Sequence, residues 1–188
     1  MVVQKTRLLQ GILLVVATVP MTLLSSTALG DLPPSENKIE LLAQDRRQAR
    51  LRKLLEQGRD LVKAGEYKAA AQVYRKASNL DSDNAKIFSG LGYVEAILKN
   101  YEAAAEAYQK AVEIEPDNGQ FQYALGHSLA KIQEYSAATN AYHRATRLDS
   151  ENIKPYLGLA TVLLRQDDRA GAISIYKRAL TIAPDHAE

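Results

Sequence analysis

Three stretches of the chain nearly repeat one another: LDSDN at Leu80 to Asn84, IEPDN at Ile114 to Asn118 and LDSEN at Leu148 to Asn152. Their starts, at 80, 114 and 148, lie 34 residues apart. A unit of that length cannot bury a hydrophobic face alone, so a chain built on the period must stack neighbouring units into one continuous core. Folding the sequence on this period from Leu51 gives four copies without an insertion: 51–84, 85–118, 119–152 and 153–186.

The recurring residues are small and aromatic. The eighth position holds Gly58, Gly92, Gly126 and Ala160, and the twentieth holds Ala70, Ala104, Ala138 and Ala172. Tyr74, Tyr108, Tyr142 and Tyr176 stand at the twenty-fourth, and Ala77, Ala111, Ala145 and Ala179 at the twenty-seventh. Three copies add Tyr67, Tyr101 or Tyr135 at the seventeenth. Spacings of three and four place such residues on one helix face. The pattern predicts two helices per copy, over roughly the first fourteen and last fifteen positions, joined by turns such as KAGEY. Small residues let the helices approach closely, and the tyrosines fill the space between them. The quoted stretches then read as connections: the aliphatic residue closes a second helix, and Asp83 or Asn84 with their counterparts caps the next.

This pattern resembles the tetratricopeptide repeat. Copy two carries Phe88, Leu91, Gly92, Ala104, Tyr108, Ala111 and Pro116; copy four keeps Tyr156, Leu159, Ala172, Tyr176, Ala179 and Pro184. The departures are Ala160 and Arg169 in copy four, Ser82 and Ser150 for the closing Pro, and Gln57 for Leu. The resemblance implies an all-α fold, a right-handed superhelical solenoid of helix-turn-helix repeats, with the first helix of each copy lining a concave groove.

It further implies that the second, fifth, ninth, twelfth and thirteenth positions face that groove. In copy one these are Arg52, Leu55, Arg59, Val62 and Lys63; in copy two, Lys86, Ser89, Tyr93, Ala96 and Ile97. Copy three supplies Gln120, Tyr123, His127, Ala130 and Lys131, and copy four Lys154, Leu157, Thr161, Leu164 and Arg165. Seven of these twenty are Lys or Arg and none is acidic. Basic edges around Tyr93, Tyr123 and His127 suit an extended peptide or protein segment bearing Asp, Glu or a free carboxylate. The carboxylate clamp of some family members uses Asn at the ninth position; here that position reads Arg59, Tyr93, His127 and Thr161.

Composition narrows the alternatives. The formal charge is only +2, which gives no field for nucleic acid. With no Cys, thiolate catalysis and thiolate metal sites are excluded. His127, His143 and His186 fall in different copies with no metalloprotease spacing, and GLGYVE at Gly90 to Glu95 lies inside a helix rather than in a phosphate loop. A calcium loop at Asp81 and Asp83 fails because Lys86 and Gly92 occupy the turn-Gly and bidentate-Glu places. No catalytic, metal or cofactor site is therefore expected.

Residues 1–30 read as a secretory leader: Lys5 and Arg7, an apolar run from Leu8 to Leu24, then small residues, with Ala28 and Gly30 placed for cleavage before Asp31 and Ser26 with Ala28 as an alternative cut. The alternative is a retained anchor over residues 8–24 with the repeats on the outer side. Either way the remainder crosses a membrane, to a periplasm, an equivalent lumen or the exterior. Residues 31–50 form a linker with Pro33 and Pro34, followed by a helical extension capped by Ser35 and running about 42 Å to Lys63 at 1.5 Å per residue. The extension reads as an N-terminal cap of the stack or as a docking element, with Ile39, Leu42 and Ala43 on one side. Arg46, Arg47, Arg50, Arg52 and Lys53 make a basic cluster, read as a solvated face or, beside an anchor, as a contact to anionic lipid. At the other end Ile173, Leu180 and Ile182 are expected to be partly uncovered, which suits self-association, a further partner there, or a chain that is part of a longer protein. The reading as a whole is a non-enzymatic adaptor for assembly of a complex; the alternative is a self-associating or membrane-complex assembly subunit acting through its two ends.

Overall fold

The computed structural model describes residues 34–184. The leader or anchor read at 1–30, its cleavage site and His186 lie outside them. Among the described residues there are eight α-helices and no strand: α1 (Pro34–Lys63), α2 (Tyr67–Ser78), α3 (Ala85–Ile97), α4 (Tyr101–Ile114), α5 (Gly119–Lys131), α6 (Tyr135–Leu148), α7 (Ile153–Arg165) and α8 (Arg169–Ile182). Ser35 lies inside α1 rather than capping it, since the helix already includes Pro34. The chain divides into two units, residues 1–43 and 44–188. Within the first stretch Ile39, Leu41 and Leu42 are exposed.

Consecutive helices pack as hairpins, and each hairpin packs on the next. Two local devices fix this geometry. The first ends the leading helix of each copy. Gly65, Lys99, Gln133 and Asp167, all at the fifteenth position, adopt positive φ. After each, the next N–H donates back five residues at 2.9 Å: Glu66 to Leu61, Asn100 to Glu95, Glu134 to Leu129 and Asp168 to Leu163. This closure satisfies the terminal carbonyls and reverses the chain at once. The trailing helix consequently begins at the seventeenth position, three residues earlier than the sequence pattern suggests, and the last residues of each copy are left as turn. Leu80 accordingly lies beyond α2, whereas Ile114 and Leu148 do end α4 and α6.

The second device starts the next leading helix. Asn84 accepts from the Lys86 N–H at 3.2 Å, Asn118 from Gln120 and Phe121, and Asn152 from Lys154 at 3.1 Å. Asn rather than Asp83 is the cap. Asp81 instead accepts from the Asp83 N–H and from Asn84 Nδ2, which tightens the turn and holds the capping amide.

The core repeats one arrangement. Tyr74, Tyr108 and Tyr142 are buried, and their rings lie against the glycines of their own copies, Gly58, Gly92 and Gly126. Tyr74 and Tyr142 also touch Gly90 and Gly158 of the following copy. The small residues thus make room for a ring wedged between hairpins, not for backbone against backbone. Burial raises the hydroxyl pKa of Tyr108 to about 12 and that of Tyr142 further still, with Tyr93 and Tyr123 adding to the shifts respectively.

One buried acid ties two copies together. Glu95 is 1% exposed and accepts from Arg75 Nη2 at 2.5 Å and Asn100 Nδ2 at 2.8 Å. Both carboxylate oxygens are satisfied, so the charge is tolerated inside the stack.

Candidate peptide-binding groove

The leading helices form the inner wall. α5 packs directly against α3 on one side and α7 on the other, while the trailing helices stand outside them. An open pocket of about 570 Å3 lies on this wall between α5 and α7. Its lining comprises Tyr123, His127, Ala130 and Lys131 of α5 and Lys154, Leu157, Thr161 and Arg165 of α7, together with Gln133, Tyr135 and Tyr142. No acidic residue lines it. Lys131, Lys154 and Arg165 are exposed, and among the described residues none of them makes an ion pair. Three uncompensated cations therefore converge on a cleft whose floor is aromatic and aliphatic.

Tyr101, at the head of α4, organises one edge. Its ring meets His127 edge-on, with centroids 6.4 Å apart and planes at 74°. Lys131 Nζ lies 5.9 Å from the same ring's centroid, within cation–π range. Burial, with the positive charge of Lys131 beside it, holds the His127 pKa below its ordinary value of 6.5. The neutral form of the ring is thereby favoured, and it stands in the wall against Tyr101. Tyr123 leans on Tyr142 at 6.0 Å between centroids, which places its ring between core and groove.

Of the ten groove residues singled out by charge or aromaticity, five share this pocket: Tyr123, His127, Lys131, Lys154 and Arg165. Tyr93 is 51% exposed on α3, one copy away, at the register that His127 holds on α5. Lys86 is exposed at the start of α3. Arg52, Arg59 and Lys63 are exposed on α1 and do not line the pocket, and Lys63 lies 3.5 Å from Asp60. The basic cluster on α1 is only partly free, because Arg47 Nε donates to the Leu80 carbonyl at 2.6 Å. Tyr101, Tyr135 and Gln133 were not singled out as groove residues. The seventeenth-position tyrosines were visible in the sequence, but nothing there says that the sharp turn carries them to the rim.

Among the described residues no group of His, Cys, Asp or Glu is placed to hold a metal ion. No helix among them is long and apolar enough to cross a membrane.

A stack of helical hairpins with an uncovered inner wall defines a helical-repeat binding module. The family profile of the tetratricopeptide repeat matches residues 55–119 and 123–187, and the chain belongs to that family. Among solved structures it is similar to MamA, at 22% identity over 81% of this chain and 88% of the other, with a TM-score of 0.70. It is likewise similar to MamA, residues 41 to the end, from Desulfovibrio magneticus RS-1, at 22% identity over 87% and 93% of the two chains and a TM-score of 0.69. At that identity the likeness is one of fold. No curated protein matches the chain. Members of this repeat family are in general protein-interaction scaffolds without catalytic activity, and the fold here supports a scaffold that takes protein partners.

Proposed function

We infer that this protein is an exported or membrane-tethered scaffold that holds an extended, acidic segment of another protein in its groove and serves the assembly of a complex. The observation that carries this reading is the pocket between α5 and α7, where Lys131, Lys154 and Arg165 meet Tyr123 and Leu157 with no carboxylate in the lining. Apolar floor and cationic rim together suit a peptide that alternates apolar and acidic side chains. A binding role is favoured over a catalytic one because His127 faces a tyrosine ring and a lysine rather than a nucleophile or carboxylate. Export rests on the pattern of residues 1–30.

A photo-crosslinking residue at Leu157 is expected to capture a partner that the same residue at Lys76, on the outer helix α2, does not. Equal capture at both places would remove the groove from the reading. Protease protection of the repeats in sealed cells or vesicles tests the compartment.

A second reading, self-association through α8, is favoured by a separate observation. Ile173 and Leu180 are 55% and 42% exposed. Their equivalents in copy two, Ala105 and Val112, are buried by the following hairpin. Ile173→Glu with Leu180→Glu should abolish any dimer seen by light scattering; a dimer that survives sinks this reading.

A further inference from the structure

The inner wall is divided into two chemically different steps. Between α5 and α7 it is cationic over an apolar floor. On α3 its exposed large side chains are apolar or aromatic, Tyr93 at 51% and Ile97 at 36%, with Lys86 apart from them at the start of the helix. No ligand chemistry is uniform along such a wall.

We propose that the groove reads a short two-part motif in its partner, in which one or two Asp or Glu side chains anchor in the pocket of Lys131, Lys154 and Arg165, and an apolar or aromatic side chain about three residues away lies on Tyr93 and Ile97. The proposal rests on the groove reading above and adds the ligand's pattern to it. Charge complementarity selects the acid: three cations face the pocket, no protein carboxylate shares it, and none of the three has an ion-pair partner elsewhere among the described residues. Lys131 is already positioned by the Tyr101 ring, so its ammonium is held at the boundary between the two steps. Arg165 adds the planar fork that donates two bonds to a carboxylate.

Spacing follows from the stack. α5 lies against both α3 and α7, and packed helices are about 8–10 Å apart. An extended or polyproline-like segment advances about 3.1–3.4 Å per residue, so one step along the wall corresponds to about three residues. In the polyproline conformation, side chains three apart also return to the same face.

The test uses the full chain and a set of acetylated, amidated peptides, so that terminal charges play no part. Each carries an Asp-Glu pair and one Leu or Tyr at separations from two to six residues. Matched sets replace the acids by Asn-Gln, or the apolar residue by Ser. The expected result is binding by fluorescence anisotropy that peaks near a separation of three and falls about tenfold or more when the acids are neutralised. Lys131→Gln, Lys154→Gln and Arg165→Gln together should erase that preference, while neutralising Lys76, Arg144 and Lys177 on the outer helices should not. Circular dichroism and thermal melting of both triple variants establish that they fold.

Acidic and neutral peptides binding equally, with binding lost in Tyr93→Ala, would overturn the acid anchor and leave the groove reading intact. Acid-dependent binding with no dependence on separation would overturn the two-part motif. Peptides that bind Tyr93→Ala and the cation-neutralised chain as well as the unaltered one would overturn both this proposal and the groove reading.

Discussion

Replacing Gly92 with Ala tests whether the tyrosine wedge holds the stack. On helix propensity alone the change is favourable by about 1 kcal/mol. A Cβ at Gly92, however, would sit 2.9 Å from Cγ, Cδ2 and Cε2 of Tyr108. Contact with Cγ matters most, because the root of the ring cannot swing aside as a flexible tip could. Tyr108 is only 7% exposed, so movement must be passed to α4 or to the next hairpin. Overpacking of this kind costs about 1–3 kcal/mol, and after the propensity gain the net expectation is destabilisation by up to about 2 kcal/mol. That corresponds to a fall of about 2–4 °C in Tm per kcal/mol for a chain of this size. Copy four shows the contrast: Ala160 occupies the equivalent place, and its Tyr176 is partly exposed rather than wedged. The decisive assay is a double-mutant cycle by thermal or urea unfolding. In a Tyr108→Leu background the overlap is gone and Gly92→Ala should become stabilising. A rise in Tm on Gly92→Ala in the unaltered chain would refute the wedge.

Three further outcomes follow from single features. Lys99→Gly and Asp167→Gly relieve non-glycine residues held at φ 63° and 62°, and each should stabilise by roughly 1 kcal/mol in urea titrations. Glu95→Ala removes a buried acceptor with two bonds, while its donors Arg75 and Asn100 are exposed and can turn to water, and it should cost about 1–2 kcal/mol by the same measurement. For His127 the folded pKa lies below the unfolded value of 6.5, so between the two the unfolded chain binds more protons. Its contribution to stability is thus complete above about pH 6.5 and is lost as pH falls through the folded pKa. His127→Gln should flatten that part of the pH profile relative to the unaltered chain.

The period was legible because it is a one-dimensional property. Position-specific residues such as Tyr74, Tyr108 and Tyr142 recur without insertion, and each copy needs only its neighbours. The caps were legible to within one residue, since Asn and Asp share capping chemistry; Asp81 turning back on Asn84 decides between them. The start of the trailing helices was misplaced because Lys99, Gln133 and Asp167 do not advertise a left-handed turn as Gly65 does. At the groove, helix register sufficed to name Lys131, Lys154 and Arg165. The gathering of these with Tyr135, and of Lys131 with Tyr101, depends on the turn geometry and on the direct packing of α5 on α7, which register alone does not carry.

The first and last helices of the described stack present different faces, and the difference constrains any self-association. At the third, sixth, seventh and tenth positions, copies two to four carry residues that pack on the preceding hairpin, such as Ile87, Gly90, Leu91 and Val94. In α1 the same positions hold Lys53, Glu56, Gln57 and Asp60, all exposed. Stacking α8 of one molecule on α1 of another would bury these charges against Ile173 and Leu180 without partners, at a cost of several kcal/mol. Head-to-tail growth is therefore opposed, and the expected form of any association through α8 is isologous, α8 on α8 about a two-fold axis. Light scattering across a hundredfold concentration range should stop at a dimer. Species that keep lengthening with concentration, and that disappear on Glu56→Arg as well as on Ile173→Glu, would show that α1 does accept α8 and that its charges are no barrier.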